Sequence, residues 1–273
     1  MIGKLVVVAT PIGNLGDLSS RAAAALGAAD VVACEDTRHS RKLFSALGIR
    51  TPTLMAVHKD NEVERAREIL DLLADGKTVA LVTDAGTPAV SDPGRHVVEA
   101  AAAAGVLVES IPGPSAVTTA LAASGFTGAR FVFEGFLPRK GAERAARLAA
   151  IAAETRTVVL YEAPARVAAT LRDLAAVADR AVVVGRELTK VHEEYFRGSL
   201  DAAALRFADG ARGEFVIVLE GGSAEPPDVT DDAILTALQD ALSTGATTRT
   251  AADDVAALLG VARNRVYKLA VRR

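Results

Sequence analysis

Short apolar runs alternate with amphipathic stretches along the first 111 residues. Runs of strand length, rich in Val, Leu and Ala, lie at 4–9, 30–35, 53–57, 78–84 and 106–111. The stretches between them carry apolar residues at helical spacing over 19–27, 38–47, 61–75 and 94–104. Alternating strands and helices are typical of α/β domains. The pattern therefore predicts an α/β fold with one helix-covered sheet in this half, and an N-cap at Ser19–Ser20 for the first helix.

The pattern changes after a Gly/Pro cluster at 112–114. Strand-like runs separated by three helical stretches follow at 131–136, 157–162, 181–188, 193–198 and 214–221. The third and fourth of these are joined by a short link, which predicts antiparallel or mixed pairing. The predicted organisation is an N-terminal α/β lobe, a C-terminal α/β lobe, a Gly/Ser/Pro linker and a helical tail, at 1–114, 115–222, 221–228 and 229–273.

The tail has the pattern of a helix-turn-helix. Residues 248–273 predict a helix, a turn at Gly260 and a second helix that contains Arg263, Arg265 and Lys268. One interpretation is a nucleic-acid reader that uses these cations. The other is a helical hairpin that packs on the body or on a second copy, with its basic side chains merely solvated.

Charge and cysteine content limit the class of protein. The net charge of -3 and a pI near 5.9 exclude a chain that coats nucleic acid indiscriminately, although local basic patches stay open. Cys34 is the single cysteine, so no intramolecular disulfide can form, which fits a reducing cytosol. No signal peptide or membrane-spanning run is present, and the four histidines lack metal-site spacing. We therefore expect a cytoplasmic protein with no metal centre.

Three turn clusters follow predicted strands, at 10–18, 84–94 and 111–121. Ligands of open α/β sheets bind beyond the carboxyl ends of the strands, so the clusters are candidates for one shared pocket. The first cluster contains neither GxGxxG nor GxxxxGKS, which makes a dinucleotide or P-loop site a weak interpretation. The second and third clusters lack Lys, and Asp84 favours a zwitterionic or cationic ligand. Singly each cluster is an ordinary tight turn, but together they predict a pocket for a compact cofactor.

Seven ordered sequence blocks carry a resemblance to a known family. They are VATPIGNLGDLSSRA, ACEDTRHSRKL, VTDAGTPAVSDPG, IPGPSAVTTALAASG, FEGFLPRK, LYEAPARV and RELTKVHEE. Together they resemble the tetrapyrrole-methylase-like S-adenosylmethionine enzymes, and within these the 16S ribosomal RNA cytidine 2'-O-methyltransferases. The resemblance extends from about residue 4 to residue 221, and the helical tail is also similar.

The resemblance implies two α/β lobes with S-adenosylmethionine in the cleft between them, and a homodimer. Carried over by position, it implies cofactor contacts from Pro11, Asp84, Ala85, Gly86, Thr87, Pro88, Pro112, Gly113, Pro114, Ser115, Ala116, Phe136, Tyr161 and Glu162. The first loop reads TPIGNLGD where tetrapyrrole enzymes carry a GxGxGD-like loop. This departure argues against a porphyrinoid substrate.

Methyl transfer to a ribose hydroxyl needs a group that accepts the hydroxyl proton. Glu35 and Asp36 are the sequence candidates, because they follow a predicted strand and precede Arg38 and His39. The alternative is structural, since acids at a strand end often cap the next helix. A second charged stretch, 185–194, is a candidate RNA path or a set of surface ion pairs.

RNA binding requires positive charge, because phosphates dominate nucleic-acid affinity. Basic side chains cluster on both lobes and in the tail, and the candidate RNA contacts are Arg38, Arg41, Lys42, Arg139, Lys140, Arg263, Arg265 and Lys268. The leading hypothesis is S-adenosylmethionine-dependent 2'-O-methylation of a cytidine in 16S rRNA of the small ribosomal subunit, in the decoding-centre region. A methyltransferase of tetrapyrrole precursors or other small molecules is the alternative, and a ligand-sensing DNA-binding regulator is the third.

Overall fold

The computed structural model describes residues 3–222, 229–243, 246–259, 261 and 263–271. The chain divides into two compact units, Met1–Gly222 and Ser223–Arg273, which we call the body and the tail unit. The body contains two five-stranded sheets.

The first lobe of the body is a parallel sheet with helices on both faces. Its strands β1 to β5 are Lys4–Val8, Val31–Cys34, Thr53–Ala56, Thr78–Leu81 and Leu107–Ile111, in the order β3-β2-β4-β1-β5. Helices α1 to α4 are Ser20–Ala28, Thr37–Leu47, Glu62–Ala74 and Arg95–Ala103. Every strand and helix predicted for this half is present. Because both faces are covered, the inner strands β1, β2 and β4 are largely continuous apolar runs.

Two apolar cores flank this sheet. Side chains of α3 and α4, including Ile69 and Val97, pack on one face, and side chains of α1 and α2, including Leu26 and Phe44, pack on the other. The predicted N-cap of α1 is confirmed, because Ser19 Oγ accepts a hydrogen bond from the Ala22 N–H at 3.1 Å.

The third turn cluster ends earlier than the sequence predicted. Helix α5, Ala116–Ser124, begins inside the stretch 111–121 that we assigned to a turn. Its buried side chains Val117, Ala120 and Leu121 pack against the second sheet. The helix escaped prediction because it is rich in Ala and Thr and has no polar face of the usual width.

The second lobe is built on a mixed sheet. Its strands β6 to β10 are Phe131–Phe136, Thr157–Glu162, Ala181–Arg186, Glu194–Ser199 and Phe215–Leu219, in the order β6-β7-β10-β8-β9. Strands β6 and β7 are parallel and the other pairs are antiparallel, so the predicted mixed pairing is confirmed. Helices α6 to α8 are Ala142–Ala153, Val167–Ala175 and Leu200–Arg206.

One face of the second sheet contacts the first turn cluster. Ile12, which is 8% exposed, lies in the same apolar core as Val159 and Val216 of that sheet and Leu121 of α5. The loop after β1 is therefore packed between the lobes, and its backbone is held where the two lobes meet.

The tail unit consists of three helices, α9 to α11, at Asp231–Ser243, Thr248–Leu259 and Arg263–Val271. They share a core of their own that includes Ile234, Val255 and Val266. The helical prediction is confirmed, whereas Gly260 and residues 223–228 of the proposed linker lie outside the described residues. None of the helices in the described part of the chain has the length and apolarity to cross a membrane.

Candidate active site

Hydrogen bonds join the three turn clusters. The Thr10 N–H donates to the Gly86 carbonyl at 2.9 Å, and the Gly86 N–H donates to the Thr10 carbonyl at 3.1 Å. Thr87 Oγ1 donates to the carbonyl of Pro114 at 3.5 Å. The first cluster is thus bonded to the second and the second to the third, as expected for loops at the carboxyl ends of neighbouring parallel strands.

A cavity of about 380 Å³ lies beside the second and third clusters and strand β7. We call it the larger cavity. Eight of the predicted cofactor residues line it: Ala85, Gly86, Thr87, Ser115, Ala116, Phe136, Tyr161 and Glu162. Its other lining residues include Asp92, Glu214 and Val216, so both lobes contribute to it.

A second cavity of about 320 Å³ lies on the side of α2. We call it the smaller cavity. Pro11, Gly13 and Leu15 of the first cluster line it together with His39, Ser40, Lys42, Leu43 and Ala46 of α2, and Thr83, Asp84 and Lys190 complete its lining. Ile12, Ala85 and Glu214 line both cavities. The two cavities are therefore neighbours separated by shared residues.

The larger cavity has the chemistry that S-adenosylmethionine requires. Gly86 has φ of +84°, and a Cβ at that position would lie 3.5 Å from Cγ2 of Ile12. The rings of Phe136 and Tyr161 are 5.6 Å apart between centroids and offer faces to an aromatic base. Asp92 is an acidic residue in the lining, which suits a cationic ligand. An aromatic base linked to a cationic centre fits this combination.

The carboxylate of Glu162 is occupied inside the second lobe. It is fully buried and accepts hydrogen bonds from Thr170 Oγ1 at 2.6 Å, the Ala163 N–H at 2.8 Å and the Arg166 guanidinium at 3.1 Å. Three of the roughly four acceptor positions of the carboxylate are thus used within the protein, which indicates a mainly structural role for this side chain.

Four predicted cofactor residues line neither cavity: Pro88, Pro112, Gly113 and Pro114. A Cβ on Gly113 would lie 3.0 Å from Cβ of Ala9, so the missing side chain allows close approach to the end of β1. Prolines fix φ and preform a loop. The structure therefore gives these residues a role in shaping the loops.

Asp36 caps helix α2. Its Oδ1 accepts the Arg38 N–H at 2.8 Å, and its Oδ2 accepts the Arg38 guanidinium at 3.1 Å. These bonds hold the pKa of Asp36 below its usual range. Asp36 thus has the capping role that was the structural alternative, and Arg38, a predicted RNA contact, is paired with it. Glu35 accepts a hydrogen bond from Thr83 Oγ1 at 3.2 Å, and neither acid lines either cavity.

Sequence reasoning missed Asp92. Burial, and then the nearby charge of Glu35, raise the pKa of this carboxyl to about 6. It lies in a segment where Ala89 and Ser91 have positive φ. The end of the segment is fixed by buried Glu62, whose Oε1 accepts the Gly94 and His96 N–H groups at 2.9 and 2.7 Å. The only sign of Asp92 in the sequence was that the second turn cluster continues through residues 92–94, Asp-Pro-Gly.

The predicted RNA-contacting cations differ in their partners. Lys42 lines the smaller cavity, and no ion pair of Arg41, Lys42, Arg139, Lys140 or Lys268 occurs within the described part of the chain. In the tail unit, Arg263 pairs with Asp253 and Arg265 pairs with Asp231. These two arginines are thus paired with acids of the tail unit itself.

The charged stretch at 185–194 forms ion pairs. Arg186 pairs with Glu194 at 3.3 Å, and Lys190 pairs with Glu187 at 2.9 Å and with Glu214 at 3.2 Å. Lys190 also lines the smaller cavity, so this stretch contributes to the site as well as to the surface.

Comparison with known proteins identifies the class. Residues 4–204 match the model of the Tetrapyrrole (Corrin/Porphyrin) Methylases, and the chain belongs to this family. It is 46% identical over 258 residues to Ribosomal RNA small subunit methyltransferase I of Mycobacterium bovis, which covers 93% of this chain and 90% of that protein. The protein of the same name from Synechocystis sp. is 41% identical, with 99% of this chain and 98% of that protein covered.

A solved structure agrees with the fold. Uroporphyrin-III C-methyl transferase from Thermus thermophilus, complexed with S-adenyl homocysteine, superposes with a TM-score of 0.56 at 19% identity. The match covers 79% of this chain and 97% of that one. The two-lobed α/β fold, the methyltransferase class and the S-adenosylmethionine cofactor that the sequence predicted are thereby confirmed.

Proposed function

We propose that this protein methylates the ribose 2'-oxygen of a cytidine in 16S rRNA, in the decoding-centre region of the small ribosomal subunit. The observation that carries the proposal is the pair of adjoining cavities, of which one suits the cofactor and the other is lined by Lys42, a lysine without an ion pair among the described residues. The names of relatives at 41 and 46% identity support rRNA as the substrate class.

The larger cavity is assigned to S-adenosylmethionine. The residues that would hold it are those of the second and third clusters, with the Phe136 and Tyr161 rings beside the adenine and Asp92 near positive charge. When bound, the cofactor supplies a methyl group on a positively charged sulfur. Asp84 and Pro11 line the neighbouring cavity and would face the acceptor side.

The smaller cavity is assigned to one nucleotide turned out of the RNA. A base inside a duplex cannot reach such a pocket, so the target nucleotide must leave its stack. Ile12, Leu15 and Leu43 give the cavity apolar surface for a base, and a base that covers the exposed side chain of Leu15 would bury apolar area favourably. Lys42 lies at the same cavity and suits a phosphate oxygen.

The residues of the site act chiefly by orientation. Holding two reactants in line contributes roughly 7–11 kcal/mol in favourable cases. The reciprocal Thr10–Gly86 bonds and the packing of Ile12 fix the shared boundary at which the acceptor oxygen and the methyl group would meet. That Glu35 or Asp36 accepts the hydroxyl proton remains a prediction. The turnover of the two single variants Glu35→Gln and Asp36→Asn tests it.

The wider RNA surface is assigned to cations on both lobes and in the tail unit. Arg41, Arg139 and Lys140 add positive charge on the two lobes, and of the three predicted tail cations Lys268 is the one without an ion pair among the described residues. A cytoplasmic homodimer is part of the proposal. A monomer at micromolar concentration in analytical ultracentrifugation would refute the homodimer.

The test is methyl transfer from labelled S-adenosylmethionine to three acceptors: unmodified 30S subunits, free 16S rRNA and a precorrin. Digestion to nucleosides and mass spectrometry should find 2'-O-methylcytidine from a ribosomal substrate. Phe136→Ala should weaken cofactor binding, whereas Phe131→Ala on the same strand, which lines neither cavity, should not. Label in the precorrin alone, or in neither RNA, would refute the proposal.

A further inference from the structure

A lysine and two glutamates lie together beside the smaller cavity. Lys190 Nζ donates to Glu187 Oε1 at 2.9 Å and pairs with Glu214 Oε2 at 3.2 Å. Lys190 lines the smaller cavity, and Glu214 lines both cavities. Because the smaller cavity is the one assigned to the target nucleotide, an ammonium and a carboxylate lie side by side at the pocket for that nucleotide.

The segment that carries Lys190 is held against the first turn cluster. Glu187 and Thr189 have φ of +50° and +66°, a conformation that is uncommon for residues other than glycine. A Cβ on Gly13 would overlap Cγ of Lys190, so the stem of the lysine needs a glycine at that position. The Thr189 N–H donates to Glu193 Oε2 at 2.6 Å. Residues in such backbone conformations cluster at functional sites, which directs attention to the lysine between them.

The carboxylate of Glu214 is accessible to a ligand. The backbone of Glu214 is fixed by Glu187, since its N–H donates to Glu187 Oε1 at 3.0 Å and its carbonyl accepts the Glu187 N–H at 2.9 Å. The Glu214 side chain is 72% exposed, and its Oε1 accepts no hydrogen bond from the described residues. An exposed ion pair contributes little to stability. The pair with Lys190 therefore leaves one oxygen of the carboxylate for a ligand.

Lys190 keeps its charge and has one N–H to spare. Burial lowers the pKa of Lys190, but the hydrogen bonds to Glu187 and Glu214 outweigh burial, so the pKa is raised overall. An ammonium has three N–H donors, and the two glutamates accept two of them. The third is available to an acceptor atom of a ligand. Because two carboxylates accompany one ammonium, a neutral group suits this cluster better than a phosphate does.

We propose that Lys190 and Glu214 select cytosine by reading its Watson–Crick edge. The inference rests on the proposed function and adds how the base is recognised. Cytosine presents an amino donor at N4 beside an acceptor at N3, which matches a carboxylate beside an ammonium. Glutamate is a general partner of the N4 amino group, and bases turned out of a stack are read on this edge. Glu214 accepts from N4, and Lys190 donates to N3.

Uracil meets the wrong partners at both positions. Its O4 is an acceptor and faces the carboxylate, and its N3–H is a donor and faces the ammonium. The apolar side chains of the cavity, Ile12, Leu15 and Leu43, contact either pyrimidine in the same way. Discrimination between the two pyrimidines therefore falls to the polar pair.

The test compares full-length wild type, Glu214→Gln, Lys190→Gln and Glu220→Gln on reconstituted 30S subunits. The cytidine that wild type methylates is mapped first and is then replaced by uridine in otherwise identical 16S rRNA. Glu220 is the matched control, because it is an exposed acid that directly follows β10, as Glu214 directly precedes it, and it lines neither cavity. A two-point contact of this kind discriminates by about 5–150-fold, so wild type and the control should prefer cytidine by a kcat/KM ratio in that range.

Each site variant should bring the ratio of kcat/KM for cytidine and uridine towards one. An amide can turn to donate or to accept, so Glu214→Gln can donate to O4 of uracil and Lys190→Gln can accept its N3–H. A purely structural role would lower kcat/KM for both acceptors and leave the ratio as it is. Because all proteins meet the same RNAs, any effect of the base change on RNA structure cancels in the comparison with Glu220→Gln.

A third acceptor tests the contact at N4. Pyrimidin-2-one at the mapped position keeps N3 and lacks the amino group, so wild type should methylate it with a lower kcat/KM than cytidine. Glu214→Ala should lower kcat/KM for cytidine and cause little further loss for pyrimidin-2-one, because both changes remove the same contact. Additive losses would overturn the contact.

The outcomes separate the two proposals. Wild type that methylates no rRNA overturns the proposed function and this inference with it. Active wild type that methylates cytidine and uridine equally well overturns the inference alone. A wild-type ratio in either Glu214→Gln or Lys190→Gln also overturns it, because base selection would then lie elsewhere.

Discussion

Replacing Glu162 separates a cofactor ligand from a structural carboxylate. The resemblance made Glu162 a cofactor contact, but its buried carboxylate accepts three hydrogen bonds, from Thr170, Ala163 and Arg166. Glu162→Ala removes all three and leaves the Arg166 guanidinium without its carboxylate. We therefore expect a large loss of folding free energy and little direct effect on cofactor chemistry.

The magnitude follows from the partners. Removing one member of a buried ion pair costs about 3–5 kcal/mol. Arg166 is 26% exposed and keeps a 2.6 Å bond to the Leu137 carbonyl, which places the loss near the lower end. With a urea m value of about 2–3 kcal/mol per molar, a loss of about 3 kcal/mol lowers the midpoint by roughly 1–1.5 M. Glu162→Gln, which still accepts a hydrogen bond, should lose about half as much.

The assay is urea unfolding followed by circular dichroism, together with S-adenosylmethionine titration calorimetry below the transition. Glu143→Gln, an exposed acid in the first turn of α6, is the control and should leave the midpoint unchanged. A wild-type midpoint for Glu162→Ala together with a tenfold weaker cofactor affinity would refute the reasoning, because the carboxylate would then serve the ligand.

Three further predictions concern the cavities and the tail. Gly86→Ala should destabilise the body by about 1–2 kcal/mol and weaken cofactor binding, because φ is +84° there, while Gly27→Ala, with open space around it, should do neither in the same calorimetry. Lys42→Ala should weaken RNA binding and reduce the salt slope by about one, whereas Lys4→Ala, paired with Glu109, should leave the slope as it is. A chain ending at Gly222 should keep the cofactor affinity and lose rRNA methylation, and full methylation by it would contradict an RNA-binding tail.

The order of elements in the body was predictable because its signals are local. The inner strands β1, β2 and β4 of the first sheet are largely continuous apolar runs, and Ser19 lies directly before the helix that it caps. The antiparallel pair β8 and β9 followed from the short link between two strand-like runs. Helix α5 was not predictable in the same way, since its buried face is defined by a sheet that comes later in the chain.

The chemistry of individual side chains depended on distant contacts. The environment of Asp92 combines Glu35, Thr83 and Tyr161, which come from three different strand ends. No local spacing reveals such a meeting. The occupied carboxylate of Glu162 likewise depends on the following helix folding back over it. Sequence therefore located the loops of the site, whereas the protonation and pairing of its acids required the structure.

The boundary that Ile12, Ala85 and Glu214 share between the cavities has a thermodynamic consequence. A ligand in one cavity restricts the motion of side chains that a ligand in the other must also restrict, so the second ligand meets a smaller entropic cost. Such coupling is reciprocal: whatever factor the cofactor adds to RNA affinity, RNA must add to cofactor affinity. Ile12 also belongs to the core of the second sheet, which ties this cooperativity to the packing of the lobes.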